Sequence, residues 1–298
     1  MTSKINLALE LLPTARKLID RHYETAKDWY PHTFVPWSRA HDFGEEWDPD
    51  TKLPADIRAA LLVNLLTEDN LPYYYRTISG HFGRDEAWGE WSKRWTAEEA
   101  RHAIVIRDYL LVTQAIDPWL LEDNRMIQMS RAEVPEPISP IDTLAYVAAQ
   151  ELATRISHRN TGKLLGDAAG ASVMSRVAMD ENLHHLFYRD LVTQAIELDP
   201  SETVGAITRQ IMEFAMPGTG IENFQEYTKL IADADIYNTT IHWESIVKPL
   251  VFTHWKVDQL PSMDAEGEAS REKLLSYCGK LERISNKLKE RKAAPSEN

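Results

Sequence analysis

Cysteine is almost missing from this chain: Cys278 stands alone, which excludes an internal disulfide and any Cys-rich zinc or iron–sulfur site. Glycine and proline are sparse, at 12 and 15 residues, and that scarcity favours long helices over a strand-and-turn architecture. No segment approaches about 18 uninterrupted apolar residues, so no membrane span is expected. Positive charge is in deficit, with 33 Lys and Arg against 46 Asp and Glu for a net charge of −13. Nucleic acid is therefore not expected as a partner, because phosphate contacts need a basic face. The opening MTSKINLALELLPTARKLID alternates charged and apolar residues and lacks a small-residue cleavage site, so it does not read as a secretory signal. A cytoplasmic protein is the expectation.

What is present is enough apolar material for a sizeable core, 43% of 298 residues, in one large domain or two small ones. A helix is expected to about residue 26. The segment KDWYPHTFVPWSRAHDFGEEWDPDTKLP that follows is too aromatic for a linker and reads as an ordered wrapping loop. Long helical patterns run near 54–80, 86–115, 139–165 and 170–197, with further helix at 201–215, 221–233, 241–256 and 268–292. Proline-rich RAEVPEPISP lies between the second and third long helices and looks like the seam between two halves.

The stretch WTAEEARHAIVIRDY spaces Glu99 and His102 three apart, hence on one helix face, in a helix expected to bury Ile104 and Ile106. A carboxylate and an imidazole aimed at a core are costly unless something compensates them, and a metal ion does so. One E-x-x-H arises easily by chance. The spacing returns, however, in MDENLHHLFY at Glu181 and His184, and each half carries a lone helical carboxylate upstream. These are Glu68 in LLTEDNLPYY and Glu151 in AQELATRISH, 31 residues before Glu99 and 30 before Glu181 respectively. Each half is thus a helix with one Glu followed by a helix with Glu and His. Four such helices can converge four carboxylates and two imidazoles on the axis of a bundle, the arrangement of ferritin-like di-iron and di-manganese proteins. The stripes Trp95, Glu99, His102, Ile106 and Val177, Glu181, His184, Tyr188 set these groups among apolar neighbours, where unpaired charge is expensive. Carboxylates with one imidazole per metal suit iron or manganese. Independently, Pro72 removes the NH that would bond the Glu68 carbonyl, so the helix should open or kink just after Glu68.

Taken with their surrounding words, TEDNLPYY, WTAEEARHA, QELATRISHRNTGK, DENLHHLFY and the N-terminal KDWYPHTFVP resemble the soluble acyl-acyl-carrier-protein desaturases, over roughly residues 20–250. The resemblance implies an all-α, ferritin-like four-helix core with additional helices. It would be one domain over 1–298, with a wrapping segment at 1–53 and a basic amphipathic C-terminal helix at 268–292, and a homodimer. It further implies two ferrous ions per chain, dioxygen as oxidant, electrons from a ferredoxin-type donor, and a cis double bond placed in an acyl chain carried on acyl carrier protein. Carried over by position, Glu68, Glu99, His102, Glu151, Glu181 and His184 would be metal ligands, with Glu99 and Glu181 bridging. Asp180 would hold His102 and contact Trp29. Thr154, one turn after Glu151, would pass a proton during oxygen activation, or else bond back to its own helix. His158 and His185 are expected to be structural or surface residues. Ala100, Ala103 and Leu183 depart from the plant members' pattern, and Arg155 and Arg159 add charge, which leaves chain length and double-bond position open.

An acidic carrier and an acidic enzyme need a local basic patch. Residues 271–292 carry eight Lys or Arg against three Glu, with Leu274, Leu281, Ile284 and Leu288 as an expected apolar stripe. Arg101, Arg107, Arg155 and Arg159 are other contributors. The alternatives are a di-iron oxygenase with a different substrate, or a non-catalytic ferritin-like iron-binding protein.

Overall fold

A computed structural model describes residues 6–293 other than Lys52, Glu133, Pro217 and Thr219; the two ends of the expected 1–298 domain lie outside the described residues. Among the described residues the regular structure is entirely helical: α1 (Leu7–Glu10), α2 (Leu12–Thr25), α3 (Ala55–Glu68), α4 (Leu71–Phe82), α5 (Glu86–Thr113), α6 (Pro118–Arg131), α7 (Pro140–Leu164), α8 (Ala168–Leu198), α9 (Pro200–Met212), α10 (Phe224–Asp233), α11 (Thr239–Ile241) and α12 (Ala265–Ala293). Three of the starts share one chemical signature. Asp117–Pro118, Ser139–Pro140 and Asp199–Pro200 each place a side-chain oxygen on a backbone NH of the first turn and a proline at the first helical position, where its missing NH costs nothing. The helix at 118–131 was absent from the sequence expectation although it carries this signature.

The expected helix at 54–80 is two helices. α3 ends at Glu68, and α4 restarts at Leu71 with Pro72 in its first turn, so the break falls immediately after the carboxylate, as the missing NH of Pro72 requires. Residues 242–254 wind as π-helix interrupted at Lys248, an unusually long run for a form mostly seen as single turns.

Two apolar clusters make the core. One joins α2, the first half of α5, most of α7, the end of α8, α9 and α12; the other joins α3, the second half of α5, α6, the start of α8 and α10. On α5 the chain leaves the first cluster at Trp95 and enters the second at Val105; on α8 it leaves the second at Val177 and enters the first at Phe187. Glu99, His102, Glu181 and His184 therefore occupy a polar belt between two apolar masses. At one end of the belt α5 and α8 pack closely at Gly170, where an added Cβ would lie 2.5 Å from the Tyr109 hydroxyl.

Two expectations about faces fail. Ile104 is 48% exposed while Ile106 is fully buried, because residues two apart on a helix point about 160° apart around its axis. On α12 the buried row is Leu274, Cys278, Leu281 and Ser285, with Ile284 and Leu288 exposed. Leu274 and Leu281 face inward as expected, but the helix turns Cys278 and Ser285 inward in place of Ile284 and Leu288.

The wrapping segment lies on the bundle through Trp29 and Val35, both buried, and through the Trp47 indole, which donates to the Gln114 carbonyl at 2.9 Å. Among the described residues no helix is long and apolar enough to cross a membrane.

Candidate metal centre

The structure brings Glu68, Glu99, His102, Glu151, Glu181 and His184 together, from the end of α3, the middles of α5 and α8, and α7; all six are buried. They form two groups that could each hold a metal ion, with donor atoms within 4.8 Å of one another: Glu68, Glu99, His102 and Glu181, and Glu99, Glu151, Glu181 and His184. Glu99 and Glu181 belong to both. Each imidazole presents Nδ1 to the carboxylates, His102 at 3.5 Å from Glu68 and Glu99 and 3.6 Å from Glu181, His184 at 2.7 Å from Glu99 and 3.5 Å from Glu151.

The other ring nitrogens are held by acids in a crossed pattern. Asp180, next to Glu181 on α8, lies 3.4 Å from Nε2 of His102 on α5; Glu98, next to Glu99 on α5, lies 2.9 Å from Nε2 of His184 on α8. Each acid has an arginine one turn earlier on its own helix, Arg176 for Asp180 and Arg94 for Glu98. Each also has an aromatic ring from the N-terminal region. The Trp29 indole donates to Asp180 at 2.7 Å, and His22 Nε2 lies 2.9 Å from Glu98. Burial works to raise the Glu98 carboxyl, but hydrogen bonds with His184 and His22 outweigh it and hold the group far below the usual carboxylate range. The same opposition, with His102 and Trp29 as partners, lowers Asp180.

Sequence reasoning found Asp180 and Trp29 and missed Glu98 and His22. The signal for Glu98 was available: E-E-x-x-H and D-E-x-x-H both place an acid before the glutamate. His158, expected to be structural or on the surface, is fully buried with Nε2 2.8 Å from Glu68 and 3.5 Å from Glu181. Burial lowers its affinity for a proton, but Glu181 and Glu68 outweigh that and raise the ring to about 9. Its position seven residues after Glu151 puts it on the same face of α7. His185 bonds the Ala148 carbonyl at 2.8 Å, a structural contact between α8 and α7. The buried Thr154 hydroxyl is shared between the carbonyls of Gln150 and Glu151, each at 3.1 Å.

A mainly apolar cavity of about 20 Å³ is walled by Tyr74, Ile78, Trp95, Tyr146 and Val147, by Pro135 and Pro137 of the proline-rich seam, and by Thr77, Thr143 and Gln150. Trp95 links it to the carboxylates: its indole donates to Glu151 at 3.0 Å. Farther along α7, Thr143 bonds His81 of α4 at 2.5 Å.

The residues fit a pair of cations. Glu99 Oε1, His102 Nδ1, Glu151 Oε2, Glu181 Oε2 and His184 Nδ1 are all buried without a hydrogen bond of acceptable geometry, the 2.7 Å approach of His184 to Glu99 included. One such orphan costs about 1–3 kcal/mol; five facing one place call for a positive partner. Burial, and then the Glu181 charge, raise both the Glu99 and the Glu151 carboxyl, the response of anions crowded together without a counter-ion. Four oxygen donors with two imidazoles suit iron or manganese, and the absence of thiolates sets the site apart from zinc-finger chemistry.

Residues 3–298 match the sequence model of a family described as fatty acid desaturase. The chain belongs to the fatty acid desaturase family. This desaturase is 38% identical over 296 residues to the acyl-[acyl-carrier-protein] desaturase DesA1 of Mycobacterium tuberculosis, covering 95% of the chain and 87% of that relative. It is 30% identical over 289 residues to the chloroplastic stearoyl-[acyl-carrier-protein] 9-desaturase of Gossypium hirsutum, covering 89% and 72%. The X-ray structure of the acyl-ACP desaturase DesA2 of Mycobacterium tuberculosis H37Rv superposes with a TM-score of 0.72 at 30% identity, covering 86% of this chain and 97% of that one.

Proposed function

We propose that this desaturase is an acyl-acyl-carrier-protein desaturase that places a cis double bond in a fatty acyl chain, with two iron ions held by Glu68, Glu99, His102, Glu151, Glu181 and His184. The carrying observation is the pair of donor groups sharing Glu99 and Glu181, lined with orphaned donor atoms. When bound, the iron pair supplies the oxidising power: dioxygen, two electrons and two protons combine with two hydrogens from adjacent methylenes to give the alkene and two waters. The chain's residues supply the rest. Glu98 and Asp180 fix the imidazole tautomers so that Nδ1 faces inward. Trp95 and Tyr146 offer the apolar wall an alkyl chain requires, and Trp95 also orients Glu151. Thr154 sits beside the site with a hydroxyl able to leave its helix carbonyls and donate a proton.

Electrons come from a ferredoxin-type donor in this reading, and the enzyme works in the cytoplasm on biosynthetic acyl thioesters. Two chains form a dimer through the outer faces of α5 and α6. Ile104, Trp119 and Met126 are exposed there, at 48%, 74% and 69%, with Arg107 and Glu122 linking the two helices at 2.8 Å; large apolar exposure of this kind marks interaction surfaces.

The test is mass spectrometry of acyl products after incubation with acyl-carrier-protein thioesters, dioxygen and a reducing system, beside an anaerobic ferrous titration. The expected results are an acyl product two mass units lighter and about two irons per chain. A hydroxylated product instead, or one zinc bound unaffected by Glu99→Ala, would overturn the reading.

A further inference from the structure

Of the four carboxylates that meet at the centre, Glu99 on α5, Glu151 on α7 and Glu181 on α8 stand in helix interiors, and Glu68 alone closes a helix. A mid-helix backbone is fixed by hydrogen bonds on both sides. Glu68 lacks part of that support, because Pro72 cannot bond its carbonyl and the next two residues, Asp69 and Asn70, belong to neither α3 nor α4. His158 steadies the Glu68 carboxylate at 2.8 Å, but it acts on the side chain and not on the backbone that carries it.

The backbone is held from α6. Arg125 grips Asp69 with two bonds, Nε to Oδ2 at 2.7 Å and Nη2 to Oδ1 at 3.0 Å, the two-pronged geometry that makes an arginine–carboxylate pair directional. One turn on, Gln128 Nε2 donates to Oδ1 of Asn70 at 2.9 Å, and the Tyr73 hydroxyl of α4 donates to the Met129 carbonyl at 2.8 Å. Asp69, Asn70 and Gln128 are all buried. Both residues of the break and the first turn of α4 are therefore tied to one helix.

That helix is patterned the reverse of an ordinary amphipathic one. Leu121, Asn124, Arg125 and Gln128 stand at i, i+3, i+4 and i+7 on its inner face, so all but Leu121 are polar, while Trp119 and Met126 are exposed on the other side. Buried polar pairs add little stability beyond what apolar side chains of the same size would give. What they add is direction, since a hydrogen bond is strict in distance and angle. Glu151, the matching carboxylate of the second half, sits inside the 25-residue α7 and needs no such clamp.

Resting on the metal-centre reading above, we propose that Arg125 and Gln128 are positioning residues of the centre: by fixing Asp69 and Asn70 they set the place of the Glu68 carboxylate, and with it the affinity of the site formed by Glu68, Glu99, His102 and Glu181. The site formed by Glu99, Glu151, Glu181 and His184 does not depend on α6.

The test is anaerobic ferrous titration of the full chain with two-site fitting. Arg125→Ala and Gln128→Leu should each weaken one site about tenfold, at the low end of the loss seen when a ligand's outer partner is removed because they act through the backbone, and leave the other site as in wild type. Arg125→Lys, which keeps the charge without the fork, should fall between. A double-mutant cycle identifies the route: Glu68→Ala with Arg125→Ala should bind metal as Glu68→Ala alone does, because residues that act through one another are not additive. Asp142→Asn, which disturbs the contact of α7 with α9 instead of the break, should leave both sites at wild-type affinity and so separates positioning from a general loss of stability. Circular dichroism checks folding, and Gln128→Leu carries the same test where Arg125→Ala does not fold. Unchanged affinities in the folded variants, equal loss at both sites, or an undiminished Arg125→Ala effect in the Glu68→Ala background overturns the proposal. Wild type that binds two ferrous ions while the variants match it sinks only the positioning role, whereas wild type that binds none sinks the metal-centre reading itself.

Discussion

Nε2 of His184 on α8 lies 2.9 Å from Oε2 of Glu98 on α5, one residue before Glu99. The mirror contact joins His102 on α5 to Asp180 on α8. Each helix therefore carries a candidate ligand pair together with the acid that contacts the other helix's imidazole, so the two halves of the centre are interlocked. The same crossing ties the N-terminal region into the site, because His22 and Trp29 supply the remaining partners of the two acids.

Removing either acid should loosen the metal held by the opposite helix. Glu98→Ala and Asp180→Ala are each expected to weaken ferrous binding about 10- to 100-fold, the usual effect of losing the partner of a ligating histidine. Glu98→Gln, which keeps an acceptor oxygen, should lose less. Anaerobic titration with two-site fitting reads this directly. Loading indistinguishable from wild type in Glu98→Ala would remove Glu98 from the centre's support.

A second acid acts on the fold. Asp142, buried in the first turn of α7, receives Arg209 and Gln210 of α9 and the Ser139 hydroxyl. Burial works to raise this carboxyl, but those hydrogen bonds and the Arg209 charge prevail and hold it below its ordinary value. A depressed folded-state pKa means that the contribution is complete above the unfolded value near about 4 and is lost as pH falls through the folded value. Asp142→Asn should cost about 1–2 kcal/mol at pH 7, on the low side for a buried pair because Arg209 reaches solvent. Urea unfolding across the acid range should show the gap between variant and wild type closing below about pH 4; a gap constant with pH would mean that ionisation of Asp142 is irrelevant.

Sequence made the centre legible because ligand chemistry is strict: E-x-x-H twice, with a lone Glu upstream each time, leaves little choice of residue or spacing. Pro72 was equally readable, since its missing NH points at one carbonyl. Packing faces were less so. Ile104 and Ile106 look alike in composition, and only the neighbouring helices decide which is covered. On α12, Cys278 and Ser285 face the core while Ile284 and Leu288 do not, because the face that is covered is set by where α12 lies against α9 and the π-helical segment. His158 was hidden for another reason: it belongs to no E-x-x-H pair, and its approach to Glu68 depends on where α3 ends.

Chain-length selection should reside where α4 meets α7. The His81–Thr143 bond lies eight residues before Glu151, about 12 Å along α7, and Thr143 itself lines the cavity at that end. A polar pair there opposes passage of an alkyl chain, because the buried Thr143 would lose the bond it makes with the half-buried His81. His81→Leu combined with Thr143→Ala should shift preference toward longer acyl chains by about tenfold or more, since an apolar end would then accept methylenes at about 0.8 kcal/mol each. Competition between acyl-carrier substrates of graded length, scored by product mass, reads the shift. Unchanged selectivity would place the end of the chain elsewhere.

Thr154 separates productive desaturation from wasted oxygen reduction. Its hydroxyl bonds the carbonyls of Gln150 and Glu151 in the structure, a resting arrangement from which rotation about χ1 would turn it toward the carboxylates one helical turn away. If it delivers a proton during oxygen activation, Thr154→Val should keep the fold and both irons, because only the hydroxyl changes and its bonds stay within one helix. Desaturation should then slow by about 10² to 10⁴ while oxygen uptake falls less, since electrons and dioxygen still arrive. The measurement is the ratio of alkene formed to oxygen consumed, with iron content determined in both proteins. Thr154→Ser, which restores the hydroxyl without the methyl, should recover most of the ratio, and recovery by Ser but not Val ties the effect to the proton rather than to packing. Full iron and an unchanged ratio in Thr154→Val would leave the hydroxyl with no task beyond its own helix.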